Sequence, residues 1–173
     1  MISTVYVLDA NVFIEAARHY YAFDLVPAFW KCLVDHAEAG HIRSVDRVKE
    51  ELERVKDRLK SWAQDEFDGA FASTDEEDVI GVYTDIIDWA QHNEQFSDAA
   101  KAGFAGAADP WLVAYARART CVVVTHEQPA PDAKRRIPLP DVCLQFDHTV
   151  TIIAVGVIRD KHAHQVRMVL ERT

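Results

Sequence analysis

Two short apolar runs constrain this chain more than any other feature. Thr4-Val5-Tyr6-Val7-Leu8 ends at Asp9, and Cys121-Val122-Val123-Val124-Thr125 leads into His126 and Glu127. Both are nearly continuous rather than alternating, as expected of strands covered on both faces in a parallel sheet. Parallel strands need long crossovers, and the intervening sequence offers helices to make them. The expected fold is therefore α/β, a three-layer α/β/α arrangement around a central parallel sheet of four or five strands. Ligands in such sheets bind beyond the carboxyl ends of the strands, which directs attention to Asp9, Thr125, His126 and Glu127.

The helical pattern is legible between those runs. A helix starts near Asn11, and a second runs from Asp24, with Pro27 in its first turn and Gly40 as its stop. His41-Ile42-Arg43-Ser44-Val45 reads as a second strand that delivers Asp46 as the N-cap of a long helix. Val48, Leu52, Val55, Leu59 and Trp62 form one stripe along it. The acidic segment from Asp65 to Asp78, broken by Gly69, includes a loop. Val79, Tyr83, Ile86, Ile87 and Ala90 mark an amphipathic helix, Ser97 caps a short one ending near Gly103, and Asp109-Pro110-Trp111 opens another. Prolines and a basic triplet make the stretch from Gln128 to Pro140 a loop, and a last strand lies near Val150 to Ile153. The expected organisation is one domain over residues 1–153 and a helical tail over 154–173 packed on it.

Composition narrows the function classes. A chain of 173 residues that is 49% hydrophobic can bury a full core as a single domain. Its apolar runs are too short to cross a bilayer, and Met1 leads into a strand without a basic, cleavable leader, so the expectation is a soluble cytoplasmic protein without a membrane partner. Cys32, Cys121 and Cys143 have no paired spacing and sit among apolar residues, as buried reduced thiols do; zinc needs more soft ligands at closer spacing. A net charge of −9 argues against a general nucleic-acid coat protein. It leaves room for a nuclease whose acidic ligands are neutralised by bound cations.

Asp9 and Glu127 follow predicted strands, and Asp109 opens a helix, where helix capping is the competing role for both aspartates. Glu51 lies about 60° from the centre of the Val48/Leu52/Val55 stripe and Glu50 about 160° away, so Glu50 points to water and Glu51 to the edge of the buried face. A carboxylate at such an edge is rarely left without a partner. Four carboxylates that converge cannot all stay ionised without counter-charge; either their pKa values rise or cations bind. Oxygen-only donors favour Mg²⁺ or Mn²⁺, ions that activate water and stabilise a leaving oxygen in phosphodiester cleavage.

The motifs carry a resemblance. Tyr6-Val7-Leu8-Asp9-Ala10-Asn11-Val12-Phe13-Ile14 resembles the first-strand motif of PIN-domain proteins, and the segment Ser44 to Leu52 resembles their second acidic motif. Ala108 to Ala116 resembles the third, and Val123-Val124-Thr125-His126-Glu127 the fourth. The motifs stand in the family's order and cover most of residues 3 to 146. With Ile137-Pro138 and Asp141-Val142-Cys143, the wording is closest to a little-characterised PIN branch known as a domain of unknown function.

That resemblance implies a VapC-like, metal-dependent ribonuclease, commonly the toxin of a toxin–antitoxin pair. It implies metal-ligating, catalytic roles for Asp9, Glu51, Asp109 and Glu127 with Mg²⁺ or Mn²⁺. Asn11 would orient Asp9 or a water, and Thr125 would hold a water or phosphate. The fourth motif departs from the commoner Thr/Ser-x-Asp, since Glu127 is a methylene longer, and Asp141 is a rival for its place. Lys134, Arg135 and Arg136 are candidates for contact with the RNA backbone. Implied partners are an RNA substrate, an antitoxin protein and a second copy in a homodimer.

Other readings compete. A PIN fold that binds nucleic acid or protein without cutting draws on the altered fourth motif. A DNA-cutting PIN-like nuclease is the alternative within the enzyme class. An aspartyl-nucleophile phosphatase of the haloacid-dehalogenase kind needs an Asp two residues after Asp9, where Asn11 stands. The glycines form neither GxGxxG nor GxxxxGK[ST], against dinucleotide and P-loop enzymes.

Overall fold

A computed structural model describes residues 4–152. Five parallel strands form one sheet in the order β3-β2-β1-β4-β5: β1 (Tyr6–Leu8), β2 (Ile42–Val45), β3 (Phe71–Ala72), β4 (Val122–Thr125) and β5 (Val150–Ile152). The helices are α1 (Ala10–Glu15), α2 (Pro27–Glu38), α3 (Asp46–Arg54), α4 (Arg58–Asp65), α5 (Glu77–His92), α6 (Asp98–Ala105), α7 (Asp109–Arg119) and α8 (Leu139–Gln145). The expected α/β class, with helices flanking a central parallel sheet, is what the chain adopts. The tail beyond residue 152 lies outside the described residues.

Topology follows from handedness. The chain moves outward from β1 through β2 to β3, then returns across the sheet to β4 and β5. Right-handed crossovers therefore put α1–α4 on one face and α5–α8 on the other. β1 is the central strand, with Tyr6 opposite Ile42 on one side and opposite Val122 on the other. The strand order reverses between β1 and β4, and in open α/β sheets that reversal leaves a crevice at the carboxyl ends.

Under the first helical layer, Phe13 packs against Trp62 at 5.8 Å and Phe67 at 5.4 Å between ring centroids, and Trp30 meets Trp62 at 4.8 Å. In the second layer α5 packs along α7, which lies on β2 and β4. Leu112, Val113, Ala114 and Ala116 are buried in that sandwich. These contacts fix α7, and with it Asp109, against the sheet.

Several expected boundaries shift. Helix α2 begins at Pro27, not Asp24, because Pro fits the first turn and Val26 before it is not helical. Gly40 adopts φ +80° immediately beyond that helix and turns the chain towards β2. The long helix expected from Asp46 to Trp62 is two helices. Val55 is extended, and Asp57 caps α4 by accepting the Leu59 N–H at 2.9 Å. Asp46 is the first residue of α3 rather than its N-cap; its carboxylate accepts the N–H and hydroxyl of Thr74 at 3.0 and 2.8 Å, tying α3 to the segment after β3. Strand β3 lies within the acidic stretch expected to include a loop. Ser97 caps α6 as expected, accepting the Ala100 N–H at 3.2 Å. None of the three thiols forms a disulfide; Cys121 and Cys143 are buried and Cys32 is only half-buried.

Candidate metal centre

Asp9 closes β1 and enters α1, held by its own N–H donating to the Val124 carbonyl at 3.0 Å. It stands at the N-cap position of α1 but makes no capping hydrogen bond with its side chain. The carboxylate instead accepts the hydroxyl of Thr125 at 2.8 Å, from the end of neighbouring β4. Thr125 in turn accepts the Glu127 N–H at 3.1 Å, so one buried hydroxyl links the ends of both strands. Asp9 is only 2% exposed, and Thr125 is fully buried.

Asp109 enters from the second helical layer as the first residue of α7, with Pro110 next. It too makes no cap. Glu51 reaches across from α3 and accepts the Ala108 N–H at 2.9 Å, which sets it one residue from Asp109. Glu127 accepts the Leu139 N–H at 2.9 Å, at the start of α8. Two carboxylates are thus anchored on backbone donors, while Asp9 is buried and Asp109 half-buried.

The electrostatics place Asp9 and Asp109 within the field of Glu51 and Glu127. Burial raises Asp9 from its ordinary 3.8 to about 6; the Thr125 hydroxyl opposes that, while the charges of Glu127 and Glu51 add to it. Burial also holds Asp109 well above the usual carboxylate range, reinforced by Asp9, Glu127 and Glu51. The charges that raise both values are carboxylates. Such a cluster of negative oxygens favours either protons or a metal cation.

The donor chemistry fits an oxygen-seeking divalent ion. The carboxylates are hard ligands. The one thiol nearby, Cys143 on α8, is pushed up to about 12 by burial and by the charges of Asp109 and Asp9, so it stays protonated at neutral pH. The arrangement is not a finished cage, however. Among the described residues no group of three or more His, Cys, Asp or Glu side chains stands ready to hold an ion.

The other sequence candidates lie at varied distances from this centre. Asn11 is half-buried in the first turn of α1. Asp141 accepts the Ala130 N–H at 2.9 Å and ties down the loop before α8; it is not among the charges acting on Asp9 or Asp109. Lys134, Arg135 and Arg136 are exposed on that loop, whose backbone is pinned to the α5–α6 turn by the Ser97 N–H donating to the Lys134 carbonyl at 2.9 Å. Sequence reasoning placed Cys143 in the core but not beside the acids, and it passed over a polar cleft of about 190 Å³ beside Glu51, lined by Arg47, Arg54 and Trp111 among others. The spacing of Arg47, Glu51 and Arg54 at helical intervals was the signal for that cleft.

This architecture is a PIN-like α/β fold. VapBC2 from Rickettsia felis, solved bound to a DNA fragment from its promoter, shares it with a TM-score of 0.51 and 13% identity, over 87% of this chain and 99% of that one. FitAB bound to an IR36 DNA fragment shares it with a TM-score of 0.50 and 15% identity, over 86% and 94%. The family model that matches spans residues 6–164: the chain belongs to DUF4411, a domain of unknown function. No curated protein matches it. No helix among the described residues is long and apolar enough to cross a membrane.

Proposed function

We propose that this protein is a metal-dependent endoribonuclease that hydrolyses RNA phosphodiester bonds, and the toxin of a type II toxin–antitoxin pair. The observation that carries the reading is that Asp9, buried, and Asp109, half-buried, are both raised in pKa by desolvation and by the charges of Glu51 and Glu127. Such a cluster of carboxylates favours a divalent cation, which phosphodiester hydrolysis can use. Bound Mg²⁺ or Mn²⁺ supplies a Lewis acid that activates water and offsets the charge developing on the phosphate oxygens.

In this reading Asp9, Glu51, Asp109 and Glu127 hold the metal. Thr125 fixes the Asp9 carboxylate through its hydroxyl and so decides which oxygen remains for the ion. Asn11 orients Asp9 from the first turn of α1. Asp141 acts at a distance, by holding the loop that carries Lys134, Arg135 and Arg136 against the RNA backbone. An antitoxin that covers the carboxylate crevice, and a homodimer, are proposed on the resemblance to VapC-like proteins and the shared fold of VapBC2 and FitAB.

The test is cleavage of single-stranded RNA, with DNA of the same sequence in parallel, in Mg²⁺ or Mn²⁺. Wild type should cut RNA; Asp9→Asn and Asp109→Asn should lose at least two orders of magnitude in rate. Equal rates for all three refute the proposal, and preferential cutting of DNA replaces the substrate. Charge reversal at Lys134, Arg135 and Arg136 should weaken RNA cleavage and flatten its salt dependence.

A second reading has one observation in its favour. Glu51 and Glu127 are turned to backbone donors and no ready metal cage stands among the described residues, as in a PIN-fold module that binds without cutting. Absence of divalent-ion binding at millimolar Mn²⁺ favours that scaffold.

A further inference from the structure

Beside the carboxylates, a polar cleft of about 190 Å³ opens between α3 and the turn that joins α6 to α7. One wall is a single stripe of α3, formed by Arg47, Glu50, Glu51 and Arg54, and the other is the backbone from Ala105 to Ala108 with Trp111. The volume equals about six water molecules. That suits a phosphodiester with part of its sugar and not a buried base.

The two arginines differ in what they have left to give. Arg47 is committed: Nε donates to the Thr74 hydroxyl at 3.2 Å, and the guanidinium pairs with Asp75 at 3.3 Å and Glu50 at 3.5 Å. Its Cζ lies 4.9 Å from the Trp111 ring centroid, and Tyr83 stacks on Trp111 at 3.6 Å between centroids. Trp111 therefore stacks on Tyr83 while Arg47 lies against it, so it serves to fix Arg47 rather than to stack a base. Arg54 is exposed and has no ion pair or hydrogen bond among the described residues. An uncommitted guanidinium at the mouth of a polar cleft attracts an anion with geometry suited to phosphate.

Position supplies the rest. Arg54 follows Glu51 by three residues, on the same side of α3 and about 4.5 Å further along its axis. Glu51 holds the backbone N–H next to Asp109. A strand whose cleaved phosphate lies at the carboxylates thus passes the cleft with its adjacent phosphate.

We propose that this cleft is a phosphate subsite of the RNA strand, with Arg54 as the phosphate-contacting residue and Arg47, clamped by Trp111, as a fixed wall. This rests on the nuclease reading, and binding can be measured apart from cleavage. Labelled single-stranded RNA is titrated by fluorescence anisotropy in Ca²⁺, with intact RNA verified on gels, across roughly 50 to 200 mM salt. Arg54→Ala should weaken binding five- to tenfold at the lowest salt. It should also reduce the slope of log affinity against log salt by about 0.7, the loss of one single-strand phosphate contact. Arg54→Lys should recover part of the affinity, and Lys60→Ala, an equal charge change on α4, should leave it unchanged.

Wild-type affinity and slope in Arg54→Ala, an equal loss in Lys60→Ala, or no RNA binding by wild type each overturn the subsite. So does an Arg54→Ala defect confined to binding an acidic protein partner. Cleavage by wild type in Mn²⁺ is scored separately. Activity with unchanged Arg54→Ala binding sinks the subsite alone, and Arg54-dependent binding without cleavage sinks the nuclease reading alone.

Discussion

Neutralising Asp9 should make the metal-free protein more stable. Asp9 is buried beside Glu127 and Glu51, and its rise from 3.8 to about 6 corresponds to roughly 3 kcal/mol of destabilisation by the ionised carboxylate at neutral pH. Because the folded pKa lies above the unfolded one, the favourable contribution is complete below about pH 4. It is lost as the pH rises through about 6. Asp9→Asn keeps an oxygen to accept the Thr125 hydroxyl while removing the charge. In EDTA at pH 7 the variant should therefore unfold up to about 3 kcal/mol later than wild type, which for a chain of this size is roughly 6–12 °C in Tm. The gain should shrink towards zero at pH 4. Saturating Mn²⁺ should reverse the order, raising the Tm of wild type but not of the variant. Chemical and thermal unfolding at pH 4 and 7, with EDTA or Mn²⁺, provide the assay. An Asp9→Asn protein less stable than wild type in EDTA at pH 7 would refute the claim that Asp9 carries uncompensated charge.

Three further outcomes follow from the packing. Thr125→Val removes the hydroxyl that donates to Asp9 and accepts from Glu127, leaving buried polar groups unsatisfied; urea unfolding should show a loss of about 1–3 kcal/mol. NMR titration should place Asp9 higher still, since the lost hydrogen bond favoured its charged form. Phe13→Ala empties the centre of the aromatic cluster formed with Trp62 and Phe67, at a cost of about 3–5 kcal/mol by the same measurement. Gly40→Ala meets no crowding but forces a side chain onto φ +80°, and should destabilise by about 1 kcal/mol.

The fold was legible where local pattern and tertiary context agree. The runs ending at Leu8 and Thr125 are apolar on both faces because β1 and β4 are interior strands, so their burial is written into every residue. Strand β3 was not legible: two residues at the sheet edge carry no period, and their pairing with Ser44 and Val45 is a tertiary fact. The stripe from Val48 to Trp62 misled for a related reason. Its spacing stays helical across the extended Val55, and only the capping by Asp57 reveals two helices.

For the candidate site, strand ends pointed to Asp9 and helical geometry pointed to Glu51. The local capping role expected to compete for Asp9 and Asp109 is not the one their side chains play. The anchoring of Glu51 on Ala108 and of Glu127 on Leu139 joins segments far apart in the chain, and no spacing rule contains it. Nor could sequence show that Cys143 lies beside the acids, since its neighbours in the chain are ordinary core residues.

The most direct measurement is a crystal structure grown in Mn²⁺, with the metal located by anomalous scattering. The account predicts a manganese peak on the carboxylate oxygens of Asp9 and Asp109, absent in Asp109→Asn crystals. Saturating Mn²⁺ with no peak at those oxygens, or a peak that persists in Asp109→Asn, would contradict it.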